Sequence, residues 1–239
     1  FMVGDLDVEV VPADRLAEAI DARTGAVAFS AVQSATGEVA DLDAIATAAG
    51  HHGALTIVDA TQACGWLPFD AARFDVVTCA AYKWLMSPRG TAFMAIRPEL
   101  LERVRPAAAG WFAGEDVHGS YYGPPVRLAP DARRLDTSPA WFSWVGTAAT
   151  LAVVEEIGVE AIHAHDVALA NRFRAGLGLP PSNSAIVRCE APGAEERLTA
   201  GGVVAAVRAG QVRASWHAYN TEDDVDRVLE LMNGPVRSR

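Results

Sequence analysis

The chain is predicted to be an α/β protein in three layers. A mainly parallel sheet with helices on both faces occupies residues 1–150, and a linking helix followed by a small α+β unit occupies 151–239. Three observations carry this prediction. Short apolar runs alternate with amphipathic helical patterns through residues 12–96, a helix-rich stretch follows from Trp144, and the Pro180–Pro181 break precedes a return to strand-like runs.

Taken in order, residues 12–22 have an acidic first turn and apolar Leu16, Ala19 and Ile20 at helical spacing, which predicts a short amphipathic helix. Residues 26–32 read as a buried strand. Residues 41–50 read as a helix with its apolar stripe at Leu42, Ile45, Ala46 and Ala49, and 54–58 as the next strand, with Asp59 at its carboxyl end. Strand patterns recur at 75–80 and 91–96, on either side of a turn at 87–90. In a parallel sheet built this way, ligands bind beyond the carboxyl ends of the strands, and Asp59 and Lys83 both fall there. Residues 105–130 hold several Gly, Pro and aromatic residues with little periodicity and read as an ordered loop or crossing segment. From Trp144 to about Leu177 the pattern is helical and broken at Gly158, so the boundary between the two units is expected within 151–176. Residues 184–190 and 203–218 read as strands. Residues 221–232 read as a terminal helix with a threonine cap and an acidic first turn.

Composition limits the function. With 239 residues, 51% hydrophobic, 21% charged and a mean hydropathy of +0.13, the chain can bury a substantial core, which excludes a disordered tail, a fibre or a disulfide-stapled miniprotein. The 30 acidic residues outnumber 20 basic ones, which argues against nucleic acid as a partner. Cys64, Cys79 and Cys189 lie far apart with no zinc-type spacing and read as thiols in a reducing cytoplasm. No apolar run has membrane-span length, and no signal-peptide pattern is present. The expectation is a cytoplasmic protein with no membrane or nucleic-acid partner. Residue 1 is Phe, and the first elements read as entering a sheet partway through, which raises the expectation of a longer polypeptide.

Lys83 is the only lysine among the 20 basic residues. Arginine serves wherever a solvated positive charge suffices, but only a lysine amine can be tuned downward to act as a nucleophile. An amine that captures a pyridoxal-type aldehyde needs a partly desolvated pocket, a carboxylate against the pyridine nitrogen, and donors for the phosphate and phenolate. The segment VDATQ, 58–62, offers Asp59 as that carboxylate and Gln62 as an amide donor, and AAYKWL, 80–85, sets Tyr82 beside Lys83. The separation of Asp59 and Lys83 suits one strand–crossover–strand step. Each residue also has a structural alternative: Asp59 as a turn residue, Tyr82, Trp84 and Trp111 as packing aromatics, and Arg213 in an ion pair with Asp223 or Asp224. His51, His52, His163 and His165 read as solvated helix residues, and His217 as a packed one. No metal site is expected.

The segments VQSATG (32–37), HHGALTIVDATQACG (51–65), AYKWLMSPRG (81–90), GWF (110–112) and RASWHAYNTEDDVD (213–226), in this order, resemble the class V aminotransferase group of fold-type I pyridoxal 5′-phosphate enzymes. That group contains cysteine desulfurases, kynureninases and isopenicillin N epimerase. The resemblance implies an aspartate aminotransferase-like large domain, pyridoxal 5′-phosphate as cofactor, and Lys83 as the Schiff-base lysine that also shuttles the substrate α-proton. It further implies that Asp59 pairs with the pyridine nitrogen, Gln62 contacts the phenolate oxygen, Tyr82 and Ser30 help hold the phosphate, and Arg213 clamps the carboxylate of an amino-acid substrate. Trp111 and Ser138 match positions that reach the cofactor from a neighbouring subunit, which implies a homodimer.

Departures narrow the chemistry. Residues 200–212 lack the mobile-loop cysteine of desulfurases, which disfavours desulfuration. Gln62 and Ser138 stand where kynureninases have histidine and asparagine, and Ala80 and Tyr82 stand where desulfurase-like members have serine and histidine. The phosphate-binding loop and the ring-stacking residue are expected from sequence preceding Phe1. Transamination, epimerisation and elimination all remain open. A kynureninase-like hydrolase, a catalytically silent subunit of the same fold and a nucleotide-binding α/β protein are the alternatives, the last lacking both GxGxxG and a P-loop.

Overall fold

In the computed structural model, residues 7–122, 127–208 and 211–233 are described. The reading of the first residues as a partial sheet falls mostly on 1–6, outside the described residues. In chain order, a 3₁₀ turn (Ala13–Arg15) runs into α1 (Leu16–Ala19), followed by β1 (Ala26–Ser30), α2 (Leu42–His52), β2 (Leu55–Asp59), β3 (Val76–Ala80) and β4 (Ala92–Ile96). Then come α3 (Trp141–Ile157), α4 (Val159–Gly176), β5 (Ile186–Cys189), α5 (Ala194–Ala200), β6 (Ala206–Arg208), β7 (Gln211–Ser215) and α6 (Glu222–Asn233).

The first sheet has the order β1-β2-β3-β4. β1, β2 and β3 are parallel, with Ser30 opposite Asp59 and Asp59 opposite Thr78, so their carboxyl ends stand level. The crossover from β1 to β2 is α2. It starts where Asp41 accepts a 2.9 Å bond from the Ala44 N–H and ends at Gly53, whose φ of 71° lies in the left-handed region. β4 returns antiparallel to β3. The connection across 81–91 is a turn, whereas a parallel return needs a crossover of about a dozen residues or more. The mainly parallel sheet expected from the sequence is therefore present, with one antiparallel edge.

The second sheet is antiparallel, ordered β5-β7-β6. The strand-like stretch predicted over 203–218 holds two paired strands, β6 and β7; residues 209–210 between them lie outside the described residues. α6 buries Val225, Val228 and Met232 against this sheet, a helical spacing worth roughly 1.5–3 kcal/mol per large side chain. Its start is a reciprocal cap: the Thr221 N–H donates to Asp224 at 2.9 Å, and the Asp224 N–H donates to Thr221 Oγ1 at 3.3 Å.

One apolar core reaches both sheets: Val32, Val58, Trp66, Val77 and Trp84 pack with Ala185 and Ile186. Gly37 of the VQSATG segment explains the close approach. It has a φ of +78°, and a Cβ there would lie 2.4 Å from the Ile186 carbonyl oxygen, so only glycine fits. α3 and α4 meet at Gly158, φ 86°, as the predicted break requires. α4 buries Ile162, Leu169, Ala170 and Phe173, and with them Asp166. The Asp166 carboxylate is fully buried with no hydrogen-bond partner among the described residues, and burial pushes its pKa up to about 7. Among the described residues, no helix is long and apolar enough to cross a membrane.

Candidate cofactor site

At the level carboxyl ends of β1–β3, Asp59 is exposed although β2 is an interior strand, and Ser30 beside it is half-buried. Backbone turns fix Asp59. The Thr61 N–H donates to its Oδ1 at 2.8 Å, the Ala60 N–H donates to the Thr78 carbonyl at 2.7 Å, and Thr61 Oγ1 accepts from the Ala80 N–H at 3.0 Å. Oδ2 faces no hydrogen-bond donor among the described residues, which leaves it for a cationic ring N–H.

Lys83 is half-buried in the turn between β3 and β4. Backbone bonds close that turn: Ala81 N–H to Thr91 O at 3.1 Å, Met86 N–H to Lys83 O at 3.0 Å, and Ser87 N–H to Ala81 O at 3.1 Å. Met86 adopts a φ of 55°, an uncommon conformation for a residue with a side chain, so local strain accompanies the sharp turn. The charges of Asp59 and Lys83 both act on the Cys79 thiol of β3, the first raising its pKa and the second lowering it. The net direction is upward, because Cys79 shares a hydrogen bond with Cys64 and is buried.

Gln62 is 7% exposed and bonded at both ends of its amide: Nε2 donates to Ser34 Oγ at 2.9 Å, and Oε1 accepts from the Trp84 indole at 2.9 Å. Arg213 crosses from β7 to the same serine, donating to the Ser34 carbonyl at 2.5 Å and to its Oγ at 3.3 Å. Asp224, one alternative partner for Arg213 in the sequence reading, serves the α6 cap. His217 is packed as expected. It stacks between Trp84 (5.1 Å) and Tyr219 (4.5 Å), with Nε2 3.1 Å from the Trp84 carbonyl. Burial lowers its pKa, so a neutral ring donates that bond. His163 departs from the reading as solvated: it stacks on fully buried Trp66 at 5.7 Å.

Tyr82 is 37% exposed, with the Arg89 guanidinium 4.4 Å over its ring. Trp111 packs on Phe112 and Tyr121. Gly110 sits so close to Ser138 that a Cβ there would lie 2.9 Å from its N and Oγ. Trp111 and Ser138 are thus brought near each other, but among the described residues neither is in hydrogen-bond or ring contact with Asp59, Gln62 or Lys83. Sequence reasoning singled out Ser30 in the first strand and missed Ser34. The signal available was its place in VQSATG, one turn before the glycine that locks the two sheets together.

The residues present fit a pyridoxal-type cofactor. Asp59 with one carboxylate oxygen open and half-buried Lys83 follow the carboxyl ends of β2 and β3, and the Gln62 amide and the Arg213 guanidinium converge on Ser34 beyond β1. These features define the class: an α/β fold whose sheet edge carries residues suited to an aldehyde-bearing cofactor. The particular family follows from comparison. The profile of the family Aminotransferase class-V matches residues 5–200, and the chain belongs to that family, whose cofactor is pyridoxal 5′-phosphate.

An uncharacterized aminotransferase of Bacillus subtilis, YcbU, is 30% identical over 236 residues, covering 92% of this chain and 62% of that protein. Isopenicillin N epimerase of Streptomyces clavuligerus is 28% identical over 256 residues, covering 93% of this chain and 64% of the epimerase. The chain therefore spans less than two thirds of the length of these relatives. Among solved structures, the cystine C-S lyase C-DES in complex with cysteine persulfide superposes with a TM-score of 0.80 at 22% identity, over 92% of this chain and 64% of that one. A cysteine desulfurase of Thermococcus onnurineus superposes with a TM-score of 0.78 at 22% identity, over 87% and 59%. At this identity both likenesses concern the fold.

Proposed function

We propose that the protein acts at the α-carbon of an amino acid, with Lys83 making the covalent link to the cofactor aldehyde and then moving the α-proton. The observation that carries this reading is the chain's only lysine, half-buried in a strained turn at the carboxyl edge of the sheet, where its charge and that of Asp59 act on one thiol. The bound cofactor supplies an electron sink for negative charge developing at the α-carbon.

The protein's own groups do the rest. Asp59, oriented by the Thr61 N–H, presents its second oxygen to the pyridine nitrogen and keeps it protonated. Gln62 donates its remaining amide hydrogen to the phenolate oxygen, and Ser30 and Tyr82 contribute to phosphate binding. Arg213, with a planar fork suited to a carboxylate, orients the amino acid. Trp111 and Ser138 act across the interface of a homodimer. The division into a large unit up to residue 150 and a small one from 151 belongs to the same proposal. So does a cytoplasmic setting, in which the three free cysteines stay reduced. Transamination, epimerisation and elimination share the removal of the α-proton, and the absence of cysteine in 200–212 disfavours desulfuration.

The test is direct. Protein incubated with pyridoxal 5′-phosphate and reduced with borohydride should carry a pyridoxyl adduct on Lys83 by peptide mass spectrometry; no adduct, or one confined to the amino terminus, refutes the reading. A second expectation concerns Arg213. Arg213→Ala should weaken amino-acid binding about ten- to a hundredfold, the scale of lost charge-assisted hydrogen bonds, with the cofactor's visible absorption retained. Spectral titration with amino acids measures it, and loss of the cofactor band would assign Arg213 a different role.

A further inference from the structure

We propose that Trp84 is a positioning residue: its indole N–H fixes which way the Gln62 amide points, and thereby keeps an N–H donor turned toward the cofactor. The inference rests on the assignment of the site above. An indole nitrogen can only donate. Lying 2.9 Å from one end of the Gln62 amide, it requires that end to be the carbonyl oxygen, because the reversed amide would set two donors against each other. The NH₂ group is thereby directed to Ser34 Oγ, 2.9 Å away. Ser34 takes one amide hydrogen and leaves the second for an acceptor on the open side.

Trp84 is held firmly enough to impose this. It is 5% exposed, its ring is stacked on His217 at 5.1 Å and tilted against Trp66 at 5.5 Å, and its carbonyl accepts from His217 at 3.1 Å. Gly65, φ +107°, presses on the same carbonyl so closely that a Cβ would lie 2.9 Å from its oxygen. The resulting chain of bonds runs from Trp84, next to Lys83, through Gln62 and Ser34 to Arg213. Without the indole donor, the amide is free to turn its carbonyl toward an anionic oxygen, where it would repel rather than bind.

The experiment uses Trp84→Phe, which keeps an aromatic ring between His217 and Trp66 and deletes the N–H. Pyridoxal 5′-phosphate affinity is measured by fluorescence quenching in wild type, Trp84→Phe, Gln62→Ala and the double variant. Trp84→Phe should weaken binding about five- to tenfold in the wild-type background and have almost no further effect in the Gln62→Ala background, because its action passes through Gln62. An equal loss in both backgrounds would mean that Trp84 is only a packing residue, and no loss in either would also overturn the proposal. If Trp84→Phe does not fold, Gln62→Glu replaces it: the carboxylate still accepts from Trp84 but has no N–H to give. The same weakening is then expected, and undiminished affinity overturns the proposal. The Lys83 adduct in the wild-type protein separates the two readings. Its absence defeats the assignment of the site, whereas its presence with additive variants defeats only the role of Trp84.

Discussion

Lys83→Ala is expected to abolish the borohydride-trapped adduct and to lower turnover by about a thousandfold or more, while the melting temperature stays within a few degrees of wild type. The size follows from removing a proton carrier, worth on the order of 10² to 10⁴ in rate, together with the nucleophile. No nearby group replaces it, since the chain has no other lysine, and arginine does not deprotonate at useful pH. The fold tolerates the change because the turn is closed by the backbone bonds of Ala81, Met86 and Ser87 and not by the lysine side chain. Steady-state rates together with thermal unfolding check this. Full turnover in Lys83→Ala would refute Lys83 as the reacting amine, and unfolding would show that the turn needs its side chain.

The sequence made much of this arrangement legible for physical reasons that differ from element to element. α2 was readable at both ends because Asp41 and Gly53 are residues a helix start and a left-handed stop require. The parallel course of β1, β2 and β3 was readable from short apolar runs separated by crossing segments, and their pairing in the fold brings Ser30 and Asp59 side by side. The direction of β4 is not carried by its own apolar run but by the short connection before it, a cue the sequence held and the parallel reading passed over. Its antiparallel course is set by the tightness of the Lys83 turn.

The candidate site divides in the same way. Lys83 stands out by composition, but the roles of Ser34 and Trp84 depend on partners distant in sequence. Trp84 meets Gln62, and Arg213 meets Ser34, only once the second sheet folds back over the first. His163 reads as solvated by residue type, yet it shares its helix face with Val159 and Val167, which pack on the core, and it stacks on Trp66.

The same blindness to a buried helix face hides Asp166, where the second large effect is expected: Asp166→Asn should stabilise the protein at neutral pH. The carboxylate is 0% exposed among apolar residues of α4, and neither oxygen has a partner among the described residues. Burial is the cause of its elevated pKa, about 7 against 3.8 for the unperturbed group. Below about pH 4 the group is protonated in both folded and unfolded chains and costs nothing extra. As pH rises from there to about 7, the unfolded chain releases a proton that the folded chain retains, so stability falls. Above about 7 both are ionised and the cost stays level. Asparagine has no such titration. The variant should therefore match the pH 4 behaviour of wild type and exceed its stability at pH 8, by up to about 4 kcal/mol if the full shift is expressed. Urea unfolding of both proteins between pH 4 and 8 measures the difference, and the informative quantity is its slope. Because asparagine and protonated aspartic acid are near isosteres, any constant packing cost cancels from that slope. A difference that does not vary over this range would mean that the carboxyl group is solvated or paired in solution, and that α4 does not bury a lone acid between the two cores.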